Sequence, residues 1–223
     1  MPFLFKKMVE IRKYNEKDKK AVELIHFETG FLGKSMEKFL TRNKEWSEEI
    51  KYYLENEPES IFVAVGNNRV VGYLIGFLDD SKHKITSDFI KRAITNLIKA
   101  SFMPAKDRKF WIGRIKFIFR AVLGISEDRE LKSPKNAGHF HINLLPEARG
   151  KCIGSKLMKF FFEYAKKKGT KIIHADGFET RLNLNKNFWL KNSFREYSKA
   201  RTSYWQEQYP NEMIYTVCYV REL

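Results

Sequence analysis

The stretch 139–158 constrains the fold more than any other part of the chain. Between His139 and Leu144 apolar residues alternate with polar ones, which is the period-2 pattern of a half-buried strand. Pro146 has no N–H to donate and therefore ends the pairing. From about Gly150, apolar residues recur at helical spacing on one face. They are Ile153, Leu157, Phe160, Phe161 and Tyr164. The sequence predicts a strand, a tight turn and a helix.

The turn between this strand and this helix has the character of an anion site. The N–H groups of a helix's first turn lack intrahelical acceptors, and the helix dipole places positive charge there. Gly150 and Gly154 have no Cβ, so a phosphate can approach the backbone closely. Arg149 and Lys151 add formal positive charge. We therefore expect a phosphate group to bind at this turn.

The same turn carries a family resemblance. Arg149, Cys152 and Gly154 fill the pattern (Gln/Arg)-x-x-Gly-x-(Gly/Ala), which resembles motif A of the GNAT superfamily of acyl-CoA-dependent N-acetyltransferases. The resemblance implies an α/β fold with a mixed, mostly antiparallel sheet flanked by helices. It implies acetyl-CoA as co-substrate, no required metal, and acetyl transfer to a primary amine by direct attack in a ternary complex.

The resemblance also implies which residues hold coenzyme A. In this family the strand before the turn hydrogen-bonds the pantetheine arm, and the amides of the turn hold the pyrophosphate. The positions implied are Asn143, Leu144, Leu145, Arg149, Gly150, Lys151, Cys152, Ile153, Gly154 and Ser155. Cys152 replaces a family glycine. We expect either a small residue facing the core or a reactive thiol in the first turn of the helix.

A second family motif, motif B, resembles residues 182–194. Phe188 and Trp189 match its end, while its asparagine position falls on Leu182, with Asn183 one residue away. The resemblance therefore implies that Asn183, Phe188 and Trp189 contribute to the coenzyme A site. Trp189 stands where the family usually has its general-acid tyrosine. An indole N–H donates hydrogen bonds but is not a useful proton donor at neutral pH.

The groups that would move protons stay open in the sequence. An amine acceptor must lose a proton before attack, and His141 or Glu28 is the expected base. The departing thiolate could take a proton from Tyr197, Tyr204 or Tyr215, or leave without help. Two alternatives to an enzyme remain. The chain could bind coenzyme A without catalysis, as a sensor domain, or it could be a basic module that binds nucleic acid or a membrane surface.

The other predicted elements follow the GNAT order over one domain, 1–223. A short strand at 9–14 precedes a helix that residues 15–18 cap and that continues to Gly30. A second helix is expected from about Ser35 to Pro58, and a break near Asn43 could divide it. The segments 61–66 and 69–78 form the clearest hairpin. Further strands are expected at 171–175, from 194, at 200–205 and at 212–221, with a helix at 182–192.

The segment 79–138 is predicted to be a helical insertion between the third and fourth strands. Its helix 109–125 is amphipathic, and we expect Trp111, Ile112, Ile115, Ile118, Phe119, Val122 and Leu123 on the buried face. We expect Lys109, Gly113, Lys116 and Arg120 on the polar face. Such a helix packs on its own domain, forms a lid over the acceptor site or lies on an anionic membrane surface.

Composition narrows the function classes. The net charge of +15 attracts anions, among them coenzyme A, nucleic acid and acidic lipid. Nucleic-acid binding is disfavoured because no recognised nucleic-acid motif accompanies the charge. Two cysteines give neither a disulfide framework nor a metal cluster. With no signal peptide or membrane span in the sequence, a cytoplasmic location is expected. The sequence leaves the acceptor and oligomeric state open, including a homodimer.

Overall fold

The computed structural model describes residues 9–42, 44–78, 95, 102–125, 131–181 and 185–223. Within these residues seven strands form one sheet. They are β1 (Glu10–Lys13), β2 (Phe62–Gly66), β3 (Arg69–Phe77), β4 (Gly138–Leu144), β5 (Ile172–Glu179), β6 (Arg195–Arg201) and β7 (Tyr215–Glu222). Their order in the sheet is β1-β2-β3-β4-β5-β7-β6. Only β4 and β5 pair in parallel. The predicted mixed, mostly antiparallel α/β sheet is confirmed.

Five α-helices accompany the sheet in the described part of the chain. They are α1 (Lys19–Thr29), α2 (Lys44–Asn56), α3 (Ala105–Val122), α4 (Ile153–Lys167) and α5 (Lys186–Lys191). The predicted cap at Asn15 is present, because its side chain accepts from the N–H of Lys17 at 3.0 Å. The predicted start of the second helix at Ser35 is wrong, because a 3-10 turn forms at Met36–Lys38 and α2 begins only at Lys44.

The two faces of the sheet pack against different helices. On one face, α1 and α2 bury Ile25, Ile50 and Tyr53 against β3. On the other face, α4 and α5 pack Leu157 and Trp189 into a second cluster. The period-2 pattern of β4 is thereby explained. Its apolar side chains face α4, while its histidines and asparagine face α1 and α2.

Helix α3, between β3 and β4, packs through a face that the sequence misassigned. Phe110 and Arg114 are buried at 1% and 5% exposure, and a Cβ on Gly113 would meet the side chain of Glu207 at 2.9 Å. Ile112 and Phe119, which we expected to be buried, are 39% and 66% exposed. α3 turns this face inward because of Arg114, whose guanidinium carbon lies over the rings of three aromatic side chains. They are Tyr204 at 3.3 Å, Trp205 at 4.3 Å and Phe110 at 4.6 Å.

Parts of the prediction lie outside the described residues. They include most of the segment 79–101, where a helix was expected, and Leu182 and Asn183. Among the helices in the described part of the chain, none combines the length and the apolar character that crossing a bilayer requires.

Candidate active site

β4 and β5 run side by side for only two residue pairs and then separate. Gly138 is opposite Ile173 and His139 is opposite His174, whereas β5 stays paired with β7 along its length. A cavity of ≈ 400 Å³ lies where the strands part, and we call it the fork cavity. This volume is in the range of small-molecule sites, about 300–1,000 Å³. The polar or indole side chains that matter below are His26, His141, Asn143, Asp176, Trp189 and Tyr204.

The backbone of β4 has an edge toward this cavity that no described strand pairs, although the carbonyl of Leu144 accepts from Nε of Arg149. The N–H of Leu145 donates to the carbonyl of Val71 at 2.9 Å, so this amide, predicted to serve coenzyme A, is already used by β3. In an antiparallel pair, alternate residues direct their N–H and C=O groups toward opposite neighbours. Ile142 and Leu144 therefore present their backbone groups to the β5 side, beyond the last β4–β5 pair. An extended ligand arm can add to this edge as a strand.

The turn after β4 exposes a cluster of backbone N–H groups. Gly150 and Cys152 both have positive φ, of 71° and 58°. The first helical bond of α4 runs from the N–H of Lys156 to the carbonyl of Cys152 at 3.1 Å. The amides between them keep no helical acceptor, and the first turn of α4 contains no acidic residue. The turn therefore offers amides and positive potential to an anion. We call residues 150–155 the phosphate loop.

Within the phosphate loop the predicted residues have different surroundings. Ile153 is buried in the core, and Ser155 is half-buried. Cys152 is exposed, which corrects the expectation of a small residue facing the core. Lys151 donates from Nζ to the carbonyl of Glu147 at 2.8 Å.

Gly154 lies directly beneath the ring of Phe188. A Cβ at this position would come within 3.1 Å of Cε2 and 3.2 Å of Cζ of that ring. Real Cβ atoms rarely approach so closely, so the ring or the start of α4 must shift by a few tenths of an ångström to admit a larger residue here. Phe188, half-buried at the start of α5, thus packs on the phosphate loop.

Arg149 ties this region to the loop after α1. Its Nε donates to the carbonyl of Leu144 at 3.0 Å, and its Nη2 donates to the carbonyl of Gly33 at 2.6 Å. Partial burial lowers the pKa of Arg149, although Glu147 acts in the opposite direction. The guanidinium therefore holds β4 and the loop after α1 together, beside the exposed amides.

α1 contributes His26 to the cavity, and sequence reasoning missed this residue. Nδ1 of His26 lies 3.0 Å from the hydroxyl of Tyr73, and Nδ2 of Asn143 donates to the same hydroxyl at 2.8 Å. The side chains of His26 and Asn143 therefore meet at the hydroxyl of Tyr73. Glu28 is two residues, or about 200° of helix, further on. It is half-buried and is absent from the lining of the fork cavity.

His141 is exposed at the fork cavity, as the face pattern of β4 predicted. Its ring lies edge-on to His139, with centroids 4.6 Å apart, and edge-on to Tyr53 at 5.8 Å. The carboxylate of Asp176, from β5, lines the same cavity. Partial burial of Asp176 would raise its pKa, but contact with His174 and the charges of the nearby histidines more than offset this and lower it. An imidazole and a carboxylate therefore face one space.

Trp189 is 6% exposed and lines the cavity from α5. Its ring stacks on Tyr219 with centroids 5.3 Å apart and an 18° interplanar angle. Its Nε1 has no hydrogen-bond partner among the described residues and would lie 3.3 Å from a Cβ placed on Gly177 of β5. The indole N–H is therefore a hydrogen-bond donor without a partner among the described residues, beside β5 at the wall of the fork cavity.

The proposed proton donors are placed at different distances from the cavity. Tyr204 lines it and stacks on Phe178, with centroids 5.5 Å apart. Tyr197 lies on β6, an edge strand, with 43% exposure, and does not line the cavity. Tyr215 of β7 is also absent from the lining. His26, His174 and Asp176 are the functional candidates that sequence reasoning missed. For His174 and Asp176 the one available signal was their spacing of two residues, which places them on the same face of β5.

Comparisons with known proteins agree with this geometry. A sequence model of the acetyltransferase (GNAT) family matches residues 31–194. The structure of SsHAT has a TM-score of 0.59 and 19% identity, over 97% of this chain and 98% of that one. Polyamine N-acetyltransferase of Drosophila melanogaster has a TM-score of 0.56 and 12% identity, over 97% of this chain and 100% of that one. An N-acetyltransferase from Staphylococcus aureus Mu50 has a TM-score of 0.54 and 14% identity, over 97% of this chain and 99% of that one.

At these identities the structural similarities show a shared fold. A search of curated proteins found no significant match to the chain. The family match is different in kind, because it spans most of the sequence and includes the β4 strand, the phosphate loop and α5. On this basis, the chain belongs to the acetyltransferase (GNAT) family.

Proposed function

We propose that the protein transfers the acetyl group of acetyl-CoA to a primary amine, by direct attack within a ternary complex. One observation carries the proposal: the fork cavity lies between the unpaired edge of β4 and β5, with His141 and Asp176 in its wall. A thioester arm lying along that edge brings its carbonyl to the imidazole and the carboxylate. The phosphate loop, further along the same chain, receives the pyrophosphate.

The coenzyme is held mostly by backbone groups in this proposal. The arm adds to Ile142 and Leu144, and the pyrophosphate accepts from the amides of the phosphate loop. The side chain of Asn143 is hydrogen-bonded to the hydroxyl of Tyr73 and orients the cavity wall, while its backbone pairs with β3. Arg149 stabilises the site by fixing the adjoining loop.

His141 acts as the general base. The acceptor arrives mostly as an ammonium ion, which the carboxylate of Asp176 attracts. His141 takes one proton, directly or through water, and the amine nitrogen then forms a bond to the thioester carbonyl carbon. The developing oxyanion accepts a hydrogen bond from Nε1 of Trp189. As the carbon–sulfur bond breaks, the thiolate of coenzyme A takes a proton from the hydroxyl of Tyr204. The amine nitrogen, now bonded to the acetyl group, gives up its second proton through water to the phenolate of Tyr204, which restores the hydroxyl.

The acceptor in this proposal is a small cationic amine or a flexible amine-bearing side chain. The cavity walls combine the aromatic rings of Phe178, Tyr204 and Trp205 with one carboxylate, Asp176. Aromatic faces and an anion together favour a cation with an apolar stem. A volume of ≈ 400 Å³ suits one small molecule or one inserted side chain.

The deciding experiment is acetyl-CoA turnover, followed by release of free thiol, against a panel of amines. The panel contains agmatine, spermidine, amino sugars and lysine-containing peptides. Acceptor-dependent thiol release, with the acetylated product found by mass spectrometry, is the expected result. Calorimetry with acetyl-CoA runs in parallel, so that binding and turnover are measured on the same preparation.

A second candidate function is coenzyme A binding without catalysis, and Trp189 in the family's tyrosine position is the observation that favours it. The same experiment separates the two. Acetyl-CoA that binds in calorimetry but gives no thiol release with any acceptor would replace the enzymatic proposal with the binding one. Absence of acetyl-CoA binding would contradict both.

A further inference from the structure

We propose that the base of the fork between β4 and β5 binds a divalent transition-metal ion of the zinc class through His139, His174 and Asp176. The inference goes beyond the proposed acetyl transfer, because it uses two buried histidines that the transfer mechanism does not use and shares only the carboxylate of Asp176 with it. The three ligand atoms that these residues offer all lie within 4.8 Å of one another.

The backbone register brings the three side chains together. His139 of β4 is directly opposite His174 of β5, at the last residue pair before the strands part. Asp176 follows two residues later and therefore projects from the same face of the sheet. Neighbouring strands are about 4.8 Å apart, so opposed side chains on one face must meet. His139 thus meets two side chains that lie 35 and 37 positions further along the sequence.

The distances fit a site that closes on an ion. Nε2 of His139 is 3.9 Å from Oδ2 of Asp176, and Nδ1 of His174 is 3.8 Å from Oδ1 of the same carboxylate. These separations are too long for hydrogen bonds. Zinc bonds of about 2.0–2.2 Å in a tetrahedron place ligand atoms about 3.3–3.6 Å apart. Small rotations of the side chains therefore suffice.

Burial strengthens the case. His139 and His174 are 7% and 5% exposed, and Nε2 of His174 has no hydrogen-bond partner among the described residues. A buried ring nitrogen without a partner is uncommon and calls for an explanation. A metal ion that accepts the lone pair of Nε2 would supply one. Asp176 is the anion that offsets part of the charge of the ion.

The donor set selects the class of ion. Two imidazoles and one carboxylate suit zinc, cobalt or nickel, whereas magnesium and calcium require oxygen ligands. The thiol of Cys218 lies 3.8 Å from Nδ1 of His174, which adds a soft atom to the surroundings. The ring of His141 adjoins His139 but is left free to act as the base, so a water molecule would complete the coordination. The bound ion would join β4 to β5 beneath the fork cavity.

Zinc titration of the untagged full-length chain, first stripped with a chelator, tests the inference. Calorimetry should show one site per chain with micromolar affinity or tighter. Cobalt should bind at the same stoichiometry and give the visible absorption bands of a low-symmetry site with nitrogen ligands. Zinc at 100 times its dissociation constant should raise Tm by about 5 °C or more, whereas magnesium should leave it unchanged.

Variants locate the ion. His174→Ala should weaken zinc binding more than about 100-fold, because even loss of a residue that supports a ligand costs about 10–100-fold. Asp176→Asn, nearly equal in shape, should weaken it as well and gives the answer should His174→Ala fail to fold. Cys152→Ser is the matched control: it removes the exposed thiol and should keep the site. Absence of zinc binding in the wild-type chain, or unchanged affinity in Asp176→Asn, would overturn the proposal.

Discussion

The phosphate loop and the fork cavity are two adjoining parts of one candidate site, built in different ways. The phosphate loop is a run of consecutive residues, 150–155, that works through backbone amides at the start of a helix. The fork cavity takes its side chains from α1, β4, β5, α5 and the segment 204–205. The loop therefore depends on backbone conformation, and the cavity depends on the tertiary fold.

This difference predicts that substitutions in the two parts affect different constants. A change in the phosphate loop should alter the affinity for coenzyme A. A change in the fork cavity should alter kcat while that affinity stays the same. Each variant below is measured by calorimetry with acetyl-CoA and by thiol release with the best acceptor, so that the separation is tested each time.

The largest effect is expected for His141→Ala. Removing the general base should lower kcat by about 10²–10⁴-fold, because the amine then reaches the thioester mostly protonated. The Kd of acetyl-CoA should stay within about twofold of the wild-type value, because the substitution leaves the backbone of β4 in place. Glu28→Gln tests the rival base and should retain turnover, since its side chain does not line the cavity. Loss of turnover in the Glu28 variant instead would assign the base to α1.

Gly154→Val should produce the next largest effect, on the other constant. The new side chain would collide with Phe188 and displace either the ring or the first turn of α4. We expect the Kd of acetyl-CoA to rise about 100-fold, which corresponds to roughly 2.7 kcal/mol.

The matched control for Gly154→Val is Gly169→Ala, at the other end of α4. Gly169 has a φ of +86° and no atom within 4 Å of a new Cβ. Alanine there should cost about 1 kcal/mol of unfolding free energy and leave the Kd unchanged. Unchanged affinity in a folded Gly154→Val protein would show that the loop does not hold coenzyme A.

Trp189→Phe should lower kcat about tenfold. The substitution removes the indole N–H, worth about 1.4 kcal/mol in the transition state, but keeps an aromatic ring against Tyr219. Trp111→Phe makes the same change on α3, outside the cavity lining, and should have no effect on kcat. Equal rates for wild type and Trp189→Phe would remove the indole from the mechanism.

The sequence predicted the phosphate loop because its signals are local. The alternation on β4, the stop at Pro146 and the glycines at 150 and 154 all lie within one short stretch. The same alternation placed His141 and Asn143 on one face, and both line the cavity. These features need only the geometry of a strand and a helix start.

The fork cavity was predicted only in part, since its other residues meet through the tertiary fold. The predicted β5 ended at 175, so Asp176 fell outside the element that carries it, whereas the strand runs to Glu179. Choosing between His26 and Glu28 required the rotation of α1 about its axis. The packed face of α3 was missed because a buried arginine, Arg114, binds aromatic rings there in place of an apolar stripe.

The smallest expected effect concerns Cys152→Gly in the phosphate loop. Cys152 has a left-handed φ of 58°, a conformation that costs a residue with a Cβ about 1–2 kcal/mol of folding free energy. Glycine avoids this cost, but it destabilises the folded state by about 0.4–1 kcal/mol because it gives the unfolded chain more conformational freedom. The glycine variant should therefore be more stable than Cys152→Ala by roughly 0.5–1 kcal/mol. Both variants lack the thiol, so their difference isolates the backbone. Urea denaturation gives the free energies. If the alanine variant were the more stable one, the left-handed conformation at position 152 would carry no strain. The contrast between a loop that depends on backbone conformation and a cavity that depends on side chains would then fail at this position.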